Sequence, residues 1–408
     1  MTEHRNRGFE ELAKGSALYP QEQLARVKTS NQSLFIGIPR EISLQENRVS
    51  LTPEAVSVIV NNGHEVWVET GAGAKAKYDD TAYSEAGAMI VDSAQEVYKA
   101  HIILKIEPPT LAEIEYMKPN QVLISALQSG SQDVEYFRSL AAKRIIGLAY
   151  EFIEDKVGGK PIIRAMSEVA GSTVMQIAAE YLSSVNDGMG VILGGVTGVP
   201  PTQVVILGGG TVAEYAARGA SGLGAEIKIF DNHIYKLRRI KHALPFQVFT
   251  STLDSARLEE ALTRADVVIG AIRPEHGRNR MVVTEEMVMN MKPGAVIIDL
   301  SIDQGGCVET SQITTHDDPV YTKHDIIHYC VPNITSRVAR TASSALSNIF
   351  TPTILRAGEE GSIDDMIFAH SWFLKGVYTY KGGLANRDLA RRFDLPYKDI
   401  SLLRAARF

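Results

Sequence analysis

The sequence predicts an α/β fold with two Rossmann-like domains, each built on a doubly wound parallel sheet, and a cleft between them. Short apolar strands alternate with helical segments along most of the 408 residues, a pattern typical of parallel sheets covered by helices. A Gly/Pro-rich stretch, GMGVILGGVTGVPPT, separates two such runs. Where two α/β lobes meet, a ligand cleft commonly forms.

The first run starts near residue 34. Strands are predicted for LFIGIP, HEVWVET, HIILKI, QVLISAL and RIIGLAY, and helices for PEAVSVIVNNG and QDVEYFRSLAAK. Residues 1–33 are polar and mixed in charge. We predict a surface extension there, with short amphipathic helices at FEELAKG and QEQLARVK.

The second run contains strands at QVVIL, EIKIFD, DVVIGA and AVIIDL, and helices at TVAEYAARGASGLG and near YKLRRIKHAL. Long helical segments at 170–182 and from about Arg337 flank it and would connect the domains. The tail to Phe408 is predicted to be helical and polar. The predicted division is an extension at 1–33, one domain at 34–161 plus 339–408, and a second domain at 162–338.

Composition excludes several classes of protein. The net charge of −6 is spread without long runs, which argues against a nucleic-acid binder with a basic face. The two cysteines, Cys307 and Cys330, form no CxxC pair, so we predict no zinc site and inert thiols in a reducing compartment. No run of about 18 apolar residues predicts a membrane span, and no apolar signal segment is evident. We therefore expect a cytoplasmic protein.

The clearest motif is Gly208-x-Gly210-x-x-Ala213, which follows strand QVVIL and opens a helix at Thr211 and Val212. The first glycine permits the tight turn, the second lets the backbone approach a pyrophosphate, and Ala213 allows close packing of helix on strand. The helix N-terminus offers free N–H groups to phosphate oxygens. The full order of strand, turn, helix and second strand predicts a dinucleotide site.

Asp231 ends the second strand of this unit. A carboxylate there binds the ribose hydroxyls and repels a 2′-phosphate, so the cofactor predicted is NAD rather than NADP. The cation of nearby Lys236 works against that preference. The alternatives for the motif are an FAD-binding unit or a glycine-rich turn without cofactor.

Longer segments resemble the alanine dehydrogenases and the related NAD-binding subunit of proton-pumping transhydrogenase. They run from about residue 36 to 348: GIPREISLQENRVSLTPEAV, GHEVWVETGAG, ILKIEPP, MSEVAG, GVILGGVTGVPPTQVVILGGGTVA, MKPGAVIIDLSIDQGGCVE and HYCVPNITSRVARTASSALSN. MSEVAG and SIDQGGCVE resemble alanine dehydrogenase more than the transhydrogenase subunit. The resemblance implies a substrate pocket in the cleft, a homo-oligomer (hexamer or dimer), and conversion of L-alanine, NAD and water to pyruvate, ammonium and NADH.

On the substrate side, the resemblance implies that Arg48 binds the carboxylate, as a guanidinium can do in a bidentate way. It implies a substrate-binding lysine at Lys105, which ends strand HIILK, and places Tyr150 and Glu151 along the same pocket. Without the resemblance, Arg48 would be interpreted as a surface ion pair and Lys105 as a lysine whose stem covers a strand end.

On the cofactor side, the resemblance implies a catalytic Asp303 that orients the water or amine and stabilises the imino intermediate. Asp299 is its competitor. Ser167 and Asn333 would contact the nicotinamide end, and Ile272 would line the same pocket. From sequence alone, Ser167 is instead predicted as a helix N-cap.

One position departs from the family pattern. Gln128 stands where the catalytic histidine of the family is expected, in QVLISALQSG. An amide cannot exchange a proton near neutral pH. Either Lys105, Asp303 or a water held by Gln128 moves the proton, or the substrate differs, or the protein binds NAD(H) without deamination. We predict surface or strand-edge positions for three histidines after the DQGG loop: His316, His324 and His328.

The leading hypothesis is reversible, NAD-dependent oxidative deamination of L-alanine. A transhydrogenase-type NAD(H)-binding subunit with a membrane partner is the second hypothesis, and Gln128 supports it. A third is another amino- or keto-acid oxidoreductase on the same scaffold.

Overall fold

The computed structural model describes residues 33–43, 45–273 and 280–405. The two helices predicted within residues 1–32 lie outside this range. Two sheets contain all the named strands, which are β1 Phe35–Ile38, β2 Glu65–Glu69, β3 Met89–Val91, β4 Ile102–Leu104, β5 Val122–Ser125, β6 Ile146–Ala149, β7 Gln203–Leu207, β8 Glu226–Phe230, β9 Phe249–Ser251, β10 Val267–Gly270, β11 Val296–Asp299, β12 Val320–Lys323, β13 Ile326–Tyr329, β14 Val377–Tyr380 and β15 Gly383–Leu384.

Helices fill most of the connections between these strands. The α-helices are α1 Pro53–Asn61, α2 Asp80–Glu85, α3 Ala94–Val97, α4 Leu111–Tyr116, α5 Val134–Ala142, α6 Pro161–Leu182, α7 Thr211–Gly222, α8 Ile234–Ala243, α9 Ser255–Arg264, α10 Glu285–Met289, α11 Ala339–Glu359, α12 Ile363–Ala369, α13 Ser371–Leu374, α14 Arg387–Phe393 and α15 Ile400–Ala405.

The first sheet has eight strands in the order β15-β14-β6-β5-β4-β1-β2-β3. Strands β1 to β6 are parallel, whereas β14 runs antiparallel to β6. The expectation of a wholly helical, polar tail is therefore wrong, because β14 and β15 are buried and extend this sheet. The alternation of β-branched and aromatic residues in VYTY is a strand signal that the helical interpretation overlooked.

The second sheet has seven strands in the order β12-β13-β11-β10-β7-β8-β9. All neighbours are parallel except β12, which pairs antiparallel with β13. The predicted fold class is confirmed, since each sheet starts centrally and is wound outward in both directions. The reversals fall between β1 and β4 and between β7 and β10, and ligands bind at such switch points.

The long helix α6 connects the two sheets and packs tightly on α7. A Cβ built on Gly171 would lie 2.5 Å from the Val212 carbonyl oxygen, and one on Gly219 would lie 3.0 Å from Met175 Cγ. Glycine at these two contacts lets the helix axes approach closely. The start of the dinucleotide-type helix α7 is thereby fixed relative to α6.

The structure also bears on the thiols, on metal ligation and on membrane spans. Cys307 and Cys330 are both buried and form no disulfide. No group of His, Cys, Asp and Glu in the described part of the chain has the arrangement of a metal site. Within the same residues, no helix has the length and apolar character needed to cross a membrane.

Candidate active site between the two sheets

The carboxyl edges of the two sheets face each other, and hydrogen bonds join them. Arg48 Nη1 donates to Thr335 Oγ1 at 3.1 Å, and Asn333 Nδ2 donates to Glu46 Oε2 at 2.8 Å. The Asn47 backbone N–H donates to Ser336 Oγ at 2.6 Å. The loop after β1 is therefore held against the segment that opens α11.

We call Glu46, Arg48, Glu107 and Gln128 the Arg48 cluster. Arg48 is buried, and it donates from Nε to Glu46 Oε1 at 2.8 Å and from Nη2 to Glu46 Oε2 at 2.5 Å. Burial disfavours the charged guanidinium, but the Glu46 carboxylate outweighs it and raises the pKa of Arg48. Arg48 is therefore a permanent cation. Among the residues that the structure describes, its Nη1 donates to two neutral groups, the Thr335 hydroxyl at 3.1 Å and the Met166 sulfur at 3.5 Å.

Lys105 is not the free cation that the sequence suggested, because two acids pair with it. Its side chain is 1% exposed, and its Nζ lies 2.7 Å from Glu113 Oε1 and 3.3 Å from Glu41 Oε2. Although burial favours the neutral amine, the two carboxylates raise the pKa of Lys105. The ammonium therefore forms ion pairs with two buried carboxylates inside the first domain. The structure does not bring it into the Arg48 cluster.

Glu107, two residues further on, takes the place expected of Lys105. Its Oε1 lies 3.9 Å from Arg48 Nη2, and its Oε2 accepts a hydrogen bond from Gln128 Nε2 at 2.5 Å. Glu107 was not among the residues predicted from the sequence. The available signal was its position three residues after the end of β4 and before Pro108, beside the switch point where the first sheet reverses.

Gln128 has left-handed backbone geometry, with φ of 46°, which is unfavourable for residues other than glycine. Its backbone N–H and that of Leu127 donate to Glu151 Oε1 at 3.3 and 2.8 Å. Ser131 closes the turn by donating from its backbone N–H to the Gln128 carbonyl at 2.9 Å. Glu151 therefore positions the loop that presents Gln128 to Glu107.

Tyr150 and Glu151 follow β6, which ends at Ala149. Tyr150 is buried, and its hydroxyl donates to the Ile106 carbonyl at 2.8 Å. Burial raises the pKa of Glu151, against the opposing effect of the amides it accepts from. Its Oε2 is buried and has no hydrogen-bond partner among the residues that the structure describes.

The glycine turn after β7 lies at the switch point of the second sheet. Gly208 has a φ of 114°, and a Cβ there would lie 2.4 Å from the Ala271 carbonyl oxygen. A Cβ on Gly210 would meet nothing within 4 Å. Gly208 is thus demanded by the fold, whereas Gly210 borders open space over the start of α7, which begins at Thr211 and Val212 and buries Ala213.

Asp231 follows β8 and is 6% exposed. Its Oδ2 accepts from the Gly209 backbone N–H at 2.6 Å, and its Oδ1 accepts from that of His233 at 2.7 Å. Lys236 Nζ lies 3.8 Å from Oδ2. The carboxylate thus contacts both the glycine turn and the start of the next helix.

The two aspartates after β11 have different environments. Asp299 is buried and accepts from the backbone N–H groups of Ser301 and Cys307 and from the Ser311 hydroxyl, at 3.0, 2.9 and 2.8 Å. Asp299 therefore holds the 300–311 loop together. Asp303 lies in the short turn after β11, and its side chain is exposed. Desolvation raises its pKa, while the Asn333 backbone and the Arg48 charge oppose that rise.

Three expected cofactor contacts occupy distinct positions. Ser167 lies inside α6, which begins at Pro161, so its predicted role as helix N-cap is wrong. Asn333 has a left-handed φ of 55° and directs its amide to Glu46, in the first domain. Ile272 follows β10 beside the Gly208 turn.

The histidines separate into three environments. His328 is buried, with Nε2 2.7 Å from Thr310 Oγ1, and His324 pairs with Glu285 at 2.7 Å on the surface. His316 lies at the domain contact, where its backbone N–H donates to Gln45 Oε1 at 3.1 Å. The surface or strand-edge expectation is therefore wrong for His316 and for the buried His328.

The fold and the glycine turn define a two-domain α/β protein with a dinucleotide-binding type of second domain. The description "Alanine dehydrogenase/PNT, N-terminal domain" matches residues 37–170, and "Alanine dehydrogenase/PNT, C-terminal domain" matches residues 174–387. The chain belongs to this alanine dehydrogenase/PNT family.

Two kinds of relative agree with that assignment. Alanine dehydrogenase 2 of Staphylococcus aureus, in strains Mu50 and USA300, is 38% identical over 366 residues, which cover 90% of this chain and 98% of the relative. A solved structure of L-alanine dehydrogenase superposes with a TM-score of 0.82 at 35% identity, covering 88% of this chain and 99% of that one. A transhydrogenase from Sinorhizobium meliloti, with a TM-score of 0.74, 21% identity and coverage of 86% and 99%, shares the fold.

Proposed function

We propose that this protein is an NAD-dependent amino-acid dehydrogenase that converts L-alanine and water reversibly to pyruvate and ammonium. One observation carries the proposal. Hydrogen bonds from Arg48 to Thr335 and from Asn333 to Glu46 hold the two sheet edges together, and the Arg48 charge opposes the rise in the pKa of Asp303. A carboxylate anchor and an acidic group thus face each other beside the carboxyl edge that bears the glycine turn.

The residues after β7 and β8 fit a dinucleotide. The open space at Gly210 admits a pyrophosphate close to the backbone, and Thr211, Val212 and Ala213 supply the helix N-terminus. Asp231 suits unphosphorylated ribose, hence NAD. When bound, NAD supplies the acceptor for the hydride of the substrate Cα. Ser167, Ile272 and Asn333 are proposed to border the nicotinamide end, and Lys236 the ribose end.

The substrate carboxylate is proposed to bind Arg48 at Nη1, since Nε and Nη2 are occupied by Glu46. Displacing the Thr335 hydroxyl would give that nitrogen an anionic partner, and hydrogen bonds between charged groups are the stronger ones. Asp303 is proposed to orient the attacking water or the amine from the opposite wall. No contact in the site specifically favours the transhydrogenase-type alternative. A homo-oligomer and a cytoplasmic location are part of the same proposal.

The test is reduction of NAD or NADP by a panel of L-amino acids, with L-alanine, glycine, L-serine and L-lysine as members. L-alanine with NAD should give the highest kcat/KM. Arg48→Lys keeps the positive charge that balances Glu46 but loses the planar guanidinium with its several N–H donors. This substitution should lower kcat/KM on the order of 10²-fold, as expected when a paired buried charge is disturbed. Glu260→Gln is the control, because that side chain is 71% exposed. Absence of amino-acid-dependent reduction, with NADH still bound, would refute the proposal.

A further inference from the structure

We propose that Glu107 is the residue that exchanges protons with the substrate in this cleft, and that Gln128 positions its carboxyl group. The inference rests on the proposed function. Gln128 stands where the family pattern has a histidine, so another residue must exchange the proton.

The geometry places Glu107 next to the substrate anchor. The carboxyl group is shared between Arg48 Nη2, 3.9 Å from Oε1, and Gln128 Nε2, 2.5 Å from Oε2. In a 2-amino acid, the reacting carbon is directly bonded to the carboxylate that Arg48 would hold. A carboxyl group in contact with that guanidinium is therefore within reach of the carbon, its amine and an attacking water.

The charges around Glu107 suit proton exchange near neutral pH. Burial and the Glu46 carboxylate raise the pKa of Glu107 to about 7, against the opposing charge of Arg48. Glu41 also raises it, and the Tyr150 hydroxyl faces the same group. A general acid or base works best when its pKa lies near the working pH, and Gln128 has no such proton to exchange.

Other candidates in the cleft are less suitable. The Lys105 ammonium is paired with two acids, and those acids hold its proton more tightly. Glu151 spends one oxygen on the two amides of the Gln128 loop. Asp303 stands on the opposite wall, where it can hold the water or amine while Glu107 transfers the proton.

Glu107 acts in the hydrolysis of the imine. NAD, when bound, would accept the hydride of the substrate Cα, and the substrate ammonium would give up one proton to solvent, which leaves an iminium with a C=N bond. Water adds to its carbon as the ionised Glu107 removes one water proton, giving a carbinolamine and a neutral Glu107. The C–N bond then breaks as Glu107 returns that proton to the nitrogen, which leaves as ammonia. The hydroxyl proton passes to this ammonia, which gives ketone and ammonium and leaves Glu107 ionised again.

The sign of the pH dependence follows from these roles. Deamination needs the ionised carboxylate, so kcat/KM should rise with pH through about 7, the pKa of Glu107. Amination of pyruvate needs the protonated form, so its kcat/KM should fall through the same range. The ratio of wild type to variant at each pH cancels the titration of the substrate amine.

The experiment compares wild type, Glu107→Gln and the double variant Glu107→Gln/Gln128→His, with Glu260→Gln as control. Glu107→Gln should lower kcat/KM about 10²- to 10³-fold in both directions, within the usual range for general acid–base groups, and should remove the step near pH 7. The double variant should regain at least tenfold, because its imidazole has a usual pKa of about 6.5, and its pH step should move accordingly.

NADH binding, followed by fluorescence, should be unchanged within about twofold in all variants if only proton transfer is affected. Retention of the pH step and of the rate in Glu107→Gln would overturn the proposal. So would a loss confined to L-lysine, which would make Glu107 a binding group for a second ammonium. Inactivity of the wild type with every amino acid would instead defeat the proposed function itself.

Discussion

The two edges of the cleft differ in what builds them. At the cofactor edge, the glycine turn and the acidic residue predicted to bind the pyrophosphate and the ribose lie in one continuous stretch from Gly208 to Asp231, and most of these residues act through backbone geometry. At the substrate edge, the Arg48 cluster comes from three separate loops and depends on a balance of charges. A site made by local backbone can be recognised in sequence, whereas a site made by charge balance depends on which side chains the fold brings together.

The largest expected effect tests the correction at the substrate edge. Lys105→Met should lower the free energy of unfolding by about 3–5 kcal/mol, because Glu41 and Glu113 would lose their buried cation. Urea denaturation measures it, with Lys375→Met, whose side chain is 59% exposed, as control. If Lys105→Met left the free energy of unfolding unchanged and strongly lowered kcat/KM, Lys105 would instead be a substrate-binding residue.

A second effect separates the aspartates that follow β11. Asp299→Asn should destabilise the protein by about 2–3 kcal/mol. One carboxylate oxygen, which now accepts hydrogen bonds from buried backbone N–H groups, would be replaced by an amide NH2 that cannot accept them. Asp303→Asn should leave the unfolding temperature unchanged and lower kcat. Thermal unfolding and steady-state rates of both variants decide the assignment, and the reverse pattern would make Asp299 the catalytic group.

The glycine turn offers a matched pair at the cofactor edge. Gly208→Ala should cost about 1–3 kcal/mol of stability, since alanine is strained at its positive φ and collides with Ala271. Gly210→Ala should leave stability within about 0.5 kcal/mol and weaken NADH binding. Unfolding curves and NADH titrations check both, and equal destabilisation would show that Gly210 also serves the fold.

The smallest effect concerns cofactor choice. Asp231→Asn removes the charge that repels a 2′-phosphate and leaves Lys236 near the ribose position. The preference for NADH over NADPH should fall about tenfold, equivalent to about 1.4 kcal/mol, in fluorescence titrations. An unchanged ratio would mean that Asp231 serves only the Gly209 and His233 backbone.

The fold class, most of the central strands and the dinucleotide turn could be predicted from the sequence, because these follow from hydrophobic alternation and glycine spacing. Strands β14 and β15 could not, because a short strand in the tail pairs with β6, more than 200 residues earlier. Lys105 was predicted in the substrate site, and Glu107 was not considered. The strand end and the family resemblance suggested a free ammonium, and only the fold shows the two acids that neutralise it.

The central claim is that the two edges form one site, with Arg48 as the carboxylate anchor opposite Asp303. The most direct measurement is a crystal structure of the complex with NADH and pyruvate. The account predicts the pyruvate carboxylate on Arg48 Nη1 and its carbonyl group between Glu107 and Asp303. Pyruvate bound away from Arg48, with NADH in place, would contradict it.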